Sequence, residues 1–184
     1  MIDSRRRNLR RVALALVVIC GLLVVGSVLR QAIDYVHYRR IEKRVEYYLP
    51  LIGQYADENG LPVELVRAVV RAESGGDPRA TSSSNARGLM QITSPAEQDV
   101  LRLRKWDKGD LFEPEYNVRI GTAYLSLMVH RFDNDHALAV AAYHMGASRV
   151  QQLRNAHPEL SSRQLIETHA NPTTSRYCRT VLGW

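Results

Sequence analysis

The chain has 184 residues, enough for one ordinary domain with an appendage but not for two domains. It is 45% hydrophobic and 24% charged, a balance that suits a packed core and excludes a disordered or low-complexity chain. The net charge is +6, but five arginines against Asp3 within residues 1–11 supply +4 of it. What is left is too diffuse, and too little interleaved with aromatic residues, for a nucleic-acid surface, so no nucleic-acid partner is expected.

Residues 12–29 form 18 consecutive positions without a charge, flanked by arginines on both sides. That is about the length of a bilayer core, and it predicts a single transmembrane anchor. The arginine-rich residues 1–11 then form a cytoplasmic tail, and everything beyond Arg30 lies on the periplasmic or extracytoplasmic side of the cytoplasmic (inner) membrane. A cleaved signal peptide is the alternative, although the run is long for one and lacks a small-x-small cleavage site. Ile19 precedes Cys20 where lipoprotein processing requires a small residue. Cys20 and Cys178 are the only cysteines and lie far apart in this topology, so no disulfide is expected.

Residues 30–48 carry Ile33, Val36, Ile41, Val45 and Tyr48 among basic and acidic residues, which predicts a helical juxtamembrane stalk beside anionic headgroups. A domain follows over 49–184. It opens with a short helix from Pro50 to Glu58, stopped by Asn59-Gly60, and a second helix with Pro62 at its first position. In that second helix Pro62, Val66, Val69, Val70 and Glu73 share one face, with Glu64, Arg67 and Arg71 opposite. Glu73 is thus the one charged residue pointing where the core belongs, and Ser74-Gly75-Gly76-Asp77-Pro78 breaks the helix behind it. A carboxyl held there loses water, which disfavours its ionised form and makes Glu73 a candidate general acid. The same pattern also suits a structural ion pair with an arginine from elsewhere.

Ser94-Pro95-Ala96-Glu97 predicts another helix start, with Ser94 as cap. From Pro114 to Phe132, Asn117, Val118, Gly121, Tyr124, Leu125, Met128 and Phe132 share one face, and Arg119, Thr122, Ser126 and His130 the other. An alanine-rich helix over Ala137–Tyr143 is interrupted at Gly146. Ser161 to Gln164 opens a short helix, and a last one runs from about Thr174 to Leu182. No strand of useful length is predicted, so the domain is mainly α. None of the six histidines has metal-ligand spacing and no phosphate loop is present, so neither a metal nor a cofactor is expected.

Taken in order, Glu73-Ser74 with Pro78, Gly88-Leu89-Met90-Gln91, Asn117 with Gly121 and Tyr124, and Ala142-Tyr143-His144-Met145-Gly146 resemble the catalytic domain of the soluble-type lytic transglycosylases. The resemblance covers roughly 49–184. It implies a lysozyme-like helical domain, from an α+β superfamily, that cleaves peptidoglycan strands. It also implies that Glu73 is the sole catalytic residue, acting as acid and then as base on the bond between N-acetylmuramic acid and N-acetylglucosamine. Closure of a 1,6-anhydro ring by the muramoyl sugar's own C6 hydroxyl needs no second carboxylate, whereas an ordinary glycosidase needs a partner acid at a set distance. Asp77 and Glu97, the nearest acids, read as turn and cap residues.

By the same resemblance Ser82, Met90, Gln91, Tyr143 and Tyr177 are the substrate-binding candidates. Ser82 equally suits an ordinary loop, Gln91 a surface position, Met90 the core, and Tyr143 a buried aromatic. Asn85 replaces a common family glycine at a point that favours positive φ. His144 and Met145 stand where the family usually has Asn and Ala, and Thr173 where it has Glu. These departures keep two alternatives open: a muramidase that admits water, and an idle glycan-binding scaffold among cell-wall machinery proteins.

Overall fold

The structure is a computed structural model. It describes the backbone of residues 2–184 and the side chains from Ile19 onward; the segment 1–11 and residues 12–18 of the expected anchor lie outside those described side chains. The chain divides into two units, Met1–Arg40 and Ile41–Trp184. The first belongs to helix α1 (Ile2–Tyr47). By length and composition, its segment from Ile19 onward is long and apolar enough to cross a membrane, and none of the apolar window is buried. The helix has no break at Arg30, so the stalk expected over 30–48 is not an element of its own.

The second unit begins at Ile41, ahead of the expected Leu49, because the last turns of α1 carry part of its core. Val45 is fully buried. Glu42 pairs with Arg67 at 2.9 Å and with Arg71 at 3.1 Å. After α1 come α2 (Leu49–Glu58), α3 (Val63–Ser74), α4 (Ser94–Arg104) and α5 (Pro114–Arg131), then α6 (His136–Met145), α7 (Ala147–Ala156), α8 (Ser162–His169) and α9 (Pro172–Leu182). Among the described residues the β content is two isolated bridges, Thr81 with Arg87 and Arg87 with Ile92.

Helix starts follow local chemistry, with small displacements from expectation. Pro62 caps α3 from outside the helix. Thr93, not Ser94, caps α4, its hydroxyl accepting from the Ala96 N–H. Ser161 and Gln164 form the expected capping box of α8. Asn171 caps α9, which therefore starts at Pro172 rather than Thr174. Helix α7 was not expected: Gly146, with φ 94°, is a joint between α6 and α7 and not the end of helical structure.

On the predicted α3 face Val66, Val69 and Val70 are fully buried, whereas Pro62 is exposed and precedes the helix. Helix α5 departs further from its pattern. Thr122 and Ser126, expected on a polar face, are buried. The Asn59 amide donates to Thr122 Oγ1 at 3.2 Å, and the Ser126 hydroxyl donates to the Asn59 carbonyl at 3.0 Å. The apparent polar stripe is a docking seam that holds the corner between α2 and α3. Helices α2, α4 and α6 all pack on α5, and α6 in turn carries α7, α8 and α9.

Asn117, at the start of α5, is fully buried and clamps the loop that follows α3. Its Oδ1 accepts from the Met90 N–H at 2.8 Å, and its Nδ2 donates to the carbonyls of Arg87 at 2.8 Å and Leu111 at 2.7 Å. The clamp leaves no room at Gly88: a Cβ there would come within 2.3 Å of both Asn117 Nδ2 and the Leu111 carbonyl, at φ 75°. Asn117→Ala leaves two buried backbone groups, the Met90 N–H and the Leu111 carbonyl, without their partner, at about 1–3 kcal/mol for each group not rescued by water, while the Arg87 carbonyl keeps the Ile92 N–H. Thermal unfolding of the variant should therefore come several degrees lower, with Asn117→Asp intermediate.

Candidate active site

Glu73 lies in the last turn of α3, one residue before Ser74 and the left-handed Gly75 that ends the helix. The valines beneath it withdraw water from the end of that face. Packing of α3 against α9, and of α9 against α6, brings Tyr177, Tyr143 and His144 to the same place. Tyr177 donates its hydroxyl to Glu73 Oε1 at 2.6 Å. No lysine or arginine among the described residues forms an ion pair with Glu73, so the structural-pair alternative does not hold here. Burial raises the Glu73 carboxyl from its ordinary 4.5 to about 7, with the Tyr177 hydrogen bond pulling the other way.

Both phenols near this carboxyl remain neutral donors. Burial lifts Tyr177 and Tyr143 well above the ordinary tyrosine range, and the charge of Glu73 adds to the rise in each. Tyr143 does not bond to Glu73; its hydroxyl donates to the Met90 carbonyl at 2.8 Å, fixing the loop from below. Behind Tyr177 the Cys178 thiol is buried and pushed up to about 12, which leaves it inert.

A groove of about 280 Å³ opens beside Glu73, lined by Ala72, His144, Thr173, Arg176, Tyr177 and Thr180. Glu73 is the only carboxylate in that lining. Asp77 is occupied in a turn, accepting from the Arg79 N–H at 2.9 Å. Glu97, in the first turn of α4, is buried and accepts from the Tyr116 hydroxyl at 2.8 Å. A second groove of about 310 Å³, between α4 and α5, contains Asp99, Arg102, Tyr124 and Arg131. Its carboxylate is already paired with Arg102 at 2.7 Å, so the chemically unusual acid is Glu73.

The remaining sequence candidates build the loop over residues 80–92 and do not line the Glu73 groove. Ser82 is exposed and its Oγ accepts from the Ala86 N–H at 3.1 Å, closing a turn. Asn85 takes the positive φ expected of it, 60°. Gln91 also has positive φ, 47°, and its amide nitrogen donates to the carbonyls of Ala80 at 3.0 Å and Gly88 at 3.1 Å. Met90 has no exposed surface and packs over Gly121, where a Cβ would meet its sulfur at 2.4 Å; its side chain belongs to the core.

Two contributors escaped the sequence reading of roles. Ser74 donates to the Leu89 carbonyl at 2.8 Å, tying the end of α3 to the loop. Asn117 holds the same loop from the far side. A polar residue at the start of an otherwise apolar face was the available signal for Asn117, whereas Ser74 resembled ordinary helix-end punctuation.

The transglycosylase SLT domain family matches residues 50–166, a span that includes Glu73 and Tyr143 and stops short of Tyr177. A membrane-bound lytic murein transglycosylase C of Pectobacterium atrosepticum is 33% identical over 142 residues, 71% of this chain and 39% of its own length. An endo-type membrane-bound lytic murein transglycosylase A of Cronobacter sakazakii is 41% identical over 93 residues, 48% of this chain and 46% of its own. The chain thus spans about two fifths of the length of the relatives it matches. Among solved structures, an inactive mutant of the lytic transglycosylase Slt of Pseudomonas aeruginosa superposes with TM-score 0.68 at 30% identity, covering 72% of this chain and 22% of that one. The 70 kDa soluble lytic transglycosylase of Escherichia coli gives TM-score 0.69 at 28% identity, covering 73% and 23%.

The raised pKa of Glu73 has a thermodynamic sign. Its folded value of about 7 exceeds the ordinary 4.5, so the folded protein holds this proton more tightly than the unfolded chain. The resulting stabilisation is fully present below about pH 4.5 and is lost as pH rises through 7, by at most about 3 kcal/mol. Glu73→Gln should therefore raise the melting temperature relative to the parent more at pH 8 than at pH 5. Tyr177→Phe removes the bond that favours the carboxylate, and should shift the Glu73 titration above 7 when followed by carboxyl NMR.

Proposed function

Because the chain belongs to the transglycosylase SLT domain family, we propose that it is a membrane-anchored lytic transglycosylase that cleaves peptidoglycan between N-acetylmuramic acid and N-acetylglucosamine. The observation that carries this reading is Glu73: a desolvated carboxyl with a value of about 7, bonded by a phenol, with no second carboxylate in its groove. An acid tuned near neutrality suits proton donation at the pH of its surroundings. A groove with one carboxylate suits a reaction whose nucleophile comes from the substrate.

In the first half-reaction the protonated Glu73 gives its proton to the glycosidic oxygen as the bond to the muramoyl C1 breaks. The N-acetylglucosamine side leaves as an alcohol, and Glu73 is left as carboxylate. In the second half that carboxylate takes the proton of the muramoyl C6 hydroxyl while the C6 oxygen bonds to C1. The product is a 1,6-anhydromuramoyl end, and Glu73 is again protonated. Proton count and charge close without water. Tyr177 supports the first half, because its hydroxyl hydrogen-bonds the carboxylate as that charge develops and stays protonated throughout.

Ser82, Gln91 and Tyr143 act in this scheme by fixing the loop that borders the catalytic carboxyl, with any sugar contact made from that fixed frame. The membrane assignment rests on the apolar helix from Ile19 and the arginines of 1–11, which favour a cytoplasmic N-terminus and an extracytoplasmic catalytic unit at the inner membrane. The names of the relatives from P. atrosepticum and C. sakazakii, both called membrane-bound, agree with it.

Digestion of purified sacculi by the full chain, with mass spectrometry of the products, tests the reading. Anhydromuramoyl ends are expected, and reducing ends would replace it with hydrolysis. Glu73→Gln should lower the rate by about 10² to 10⁴ while leaving binding to sacculi intact; digestion at the parent rate would overturn the assignment.

A further inference from the structure

One titratable group beside Glu73 has no part in the scheme above. His144 ends α6 and lines the Glu73 groove. Its Nδ1 lies 3.0 Å from Oγ1 of Thr174, a residue with no exposed surface. Thr174 is itself fixed, since its backbone N–H donates to the Asn171 cap at 2.8 Å. The imidazole rests on the Tyr177 ring with centroids 4.4 Å apart and planes inclined by 33°. Tyr177 in turn donates to Glu73 at 2.6 Å. A chain of contacts therefore runs from a buried hydroxyl through two rings to the catalytic carboxyl.

We propose that His144 is a positioning residue that acts on Glu73 through Tyr177, and that taking up a proton at His144 switches the enzyme off as the pH falls. This inference rests on the transglycosylase reading and adds a regulator to the same site. The neutral imidazole, held by Thr174, presses the Tyr177 ring into the orientation that delivers its hydroxyl to Glu73. An imidazolium in that place acts in two ways. Its charge favours the Glu73 carboxylate, which makes that carboxylate a poorer base for the C6 hydroxyl in the second half-reaction. Its burial is also costly, which draws the ring toward water and away from Tyr177.

The groups facing His144 set its balance. Glu73 from α3, when ionised, favours the imidazolium; Arg176 from α9 opposes it; Tyr177 from α9 and Tyr143 on α6 are neutral. The C-terminal turn of α6 favours a cation. Burial prevails and lowers His144 from its ordinary 6.5, so the ring is neutral in the range where Glu73 begins to carry its proton.

A cycle with one carboxyl that starts protonated has a basic limb in its pH profile and no acidic limb of its own, because protonating Glu73 fully only fills the reactive state. An acidic limb requires another group. The experiment is the rate of sacculus digestion against pH for the full chain in detergent, parent beside His144→Asn. The parent should lose activity below the ordinary imidazole range, by up to about tenfold per pH unit, the slope of one titrating group. His144→Asn should lose that acidic limb and keep the basic limb near 7. Identical acidic limbs in the two proteins, or none in the parent, would overturn the proposal.

A second measurement holds if His144→Asn is inactive throughout. The Glu73 carboxyl, followed by NMR in labelled full chain, should titrate slightly higher in His144→Asn than in the parent, because a Tyr177 ring no longer held by His144 gives up part of the hydrogen bond that favours the carboxylate. An unmoved titration would overturn the proposal as well. Absence of a basic limb near 7 in both active proteins would instead sink the assigned role of Glu73, so the two failures can be told apart.

Discussion

Desolvation of one carboxyl governs this molecule. Three fully buried valines of α3 carry Glu73 to the edge of the core, and the helix ends there before the side chain can turn to the polar side. The nearest cations of α3, Arg67 and Arg71, are drawn off by Glu42 on the opposite side. The partner left for Glu73 is a phenol, which offers a hydrogen bond without a charge. An arginine in the same position would have produced a permanent carboxylate and a strong ion pair, stable but unable to give up a proton.

The rest of the fold keeps that carboxyl where a substrate can meet it. Two tethers fix the loop after α3: Ser74 from the helix end and Asn117 from α5. Tyr143 adds a third through the Met90 carbonyl. The loop is therefore not a free flap, and its backbone groups are largely committed to buried partners.

The sequence showed the helices whose starts are marked by proline or by hydroxyl and amide caps, and the amphipathic face that presents Glu73. Its failures have physical causes. Thr122 and Ser126 read as solvent-facing because periodicity records polarity and cannot know that Asn59 arrives to meet them. Gly146 read as a stop because a glycine with positive φ joins helices as readily as it ends them. Glu97 read as a cap alone because the Tyr116 hydroxyl that it accepts from lies 19 residues on. For the site, Glu73 and Tyr177 were legible one at a time, whereas their contact, spanning 104 positions, belongs to the packing of α3 on α9.

The turn behind Glu73 also ties the last turns of α1 into the second unit. A Cβ on Gly76 would meet Arg44 Cβ and the Val45 nitrogen at 2.9 Å, so the backbones there are in direct contact. Val45 and Glu42 complete the core and the charge pairing of α3 from the same stretch. A protease cutting between residues 41 and 48 would thus not free the second unit whole. It would pull a strut from under α3, and only a cut upstream of Ile41 leaves that packing untouched.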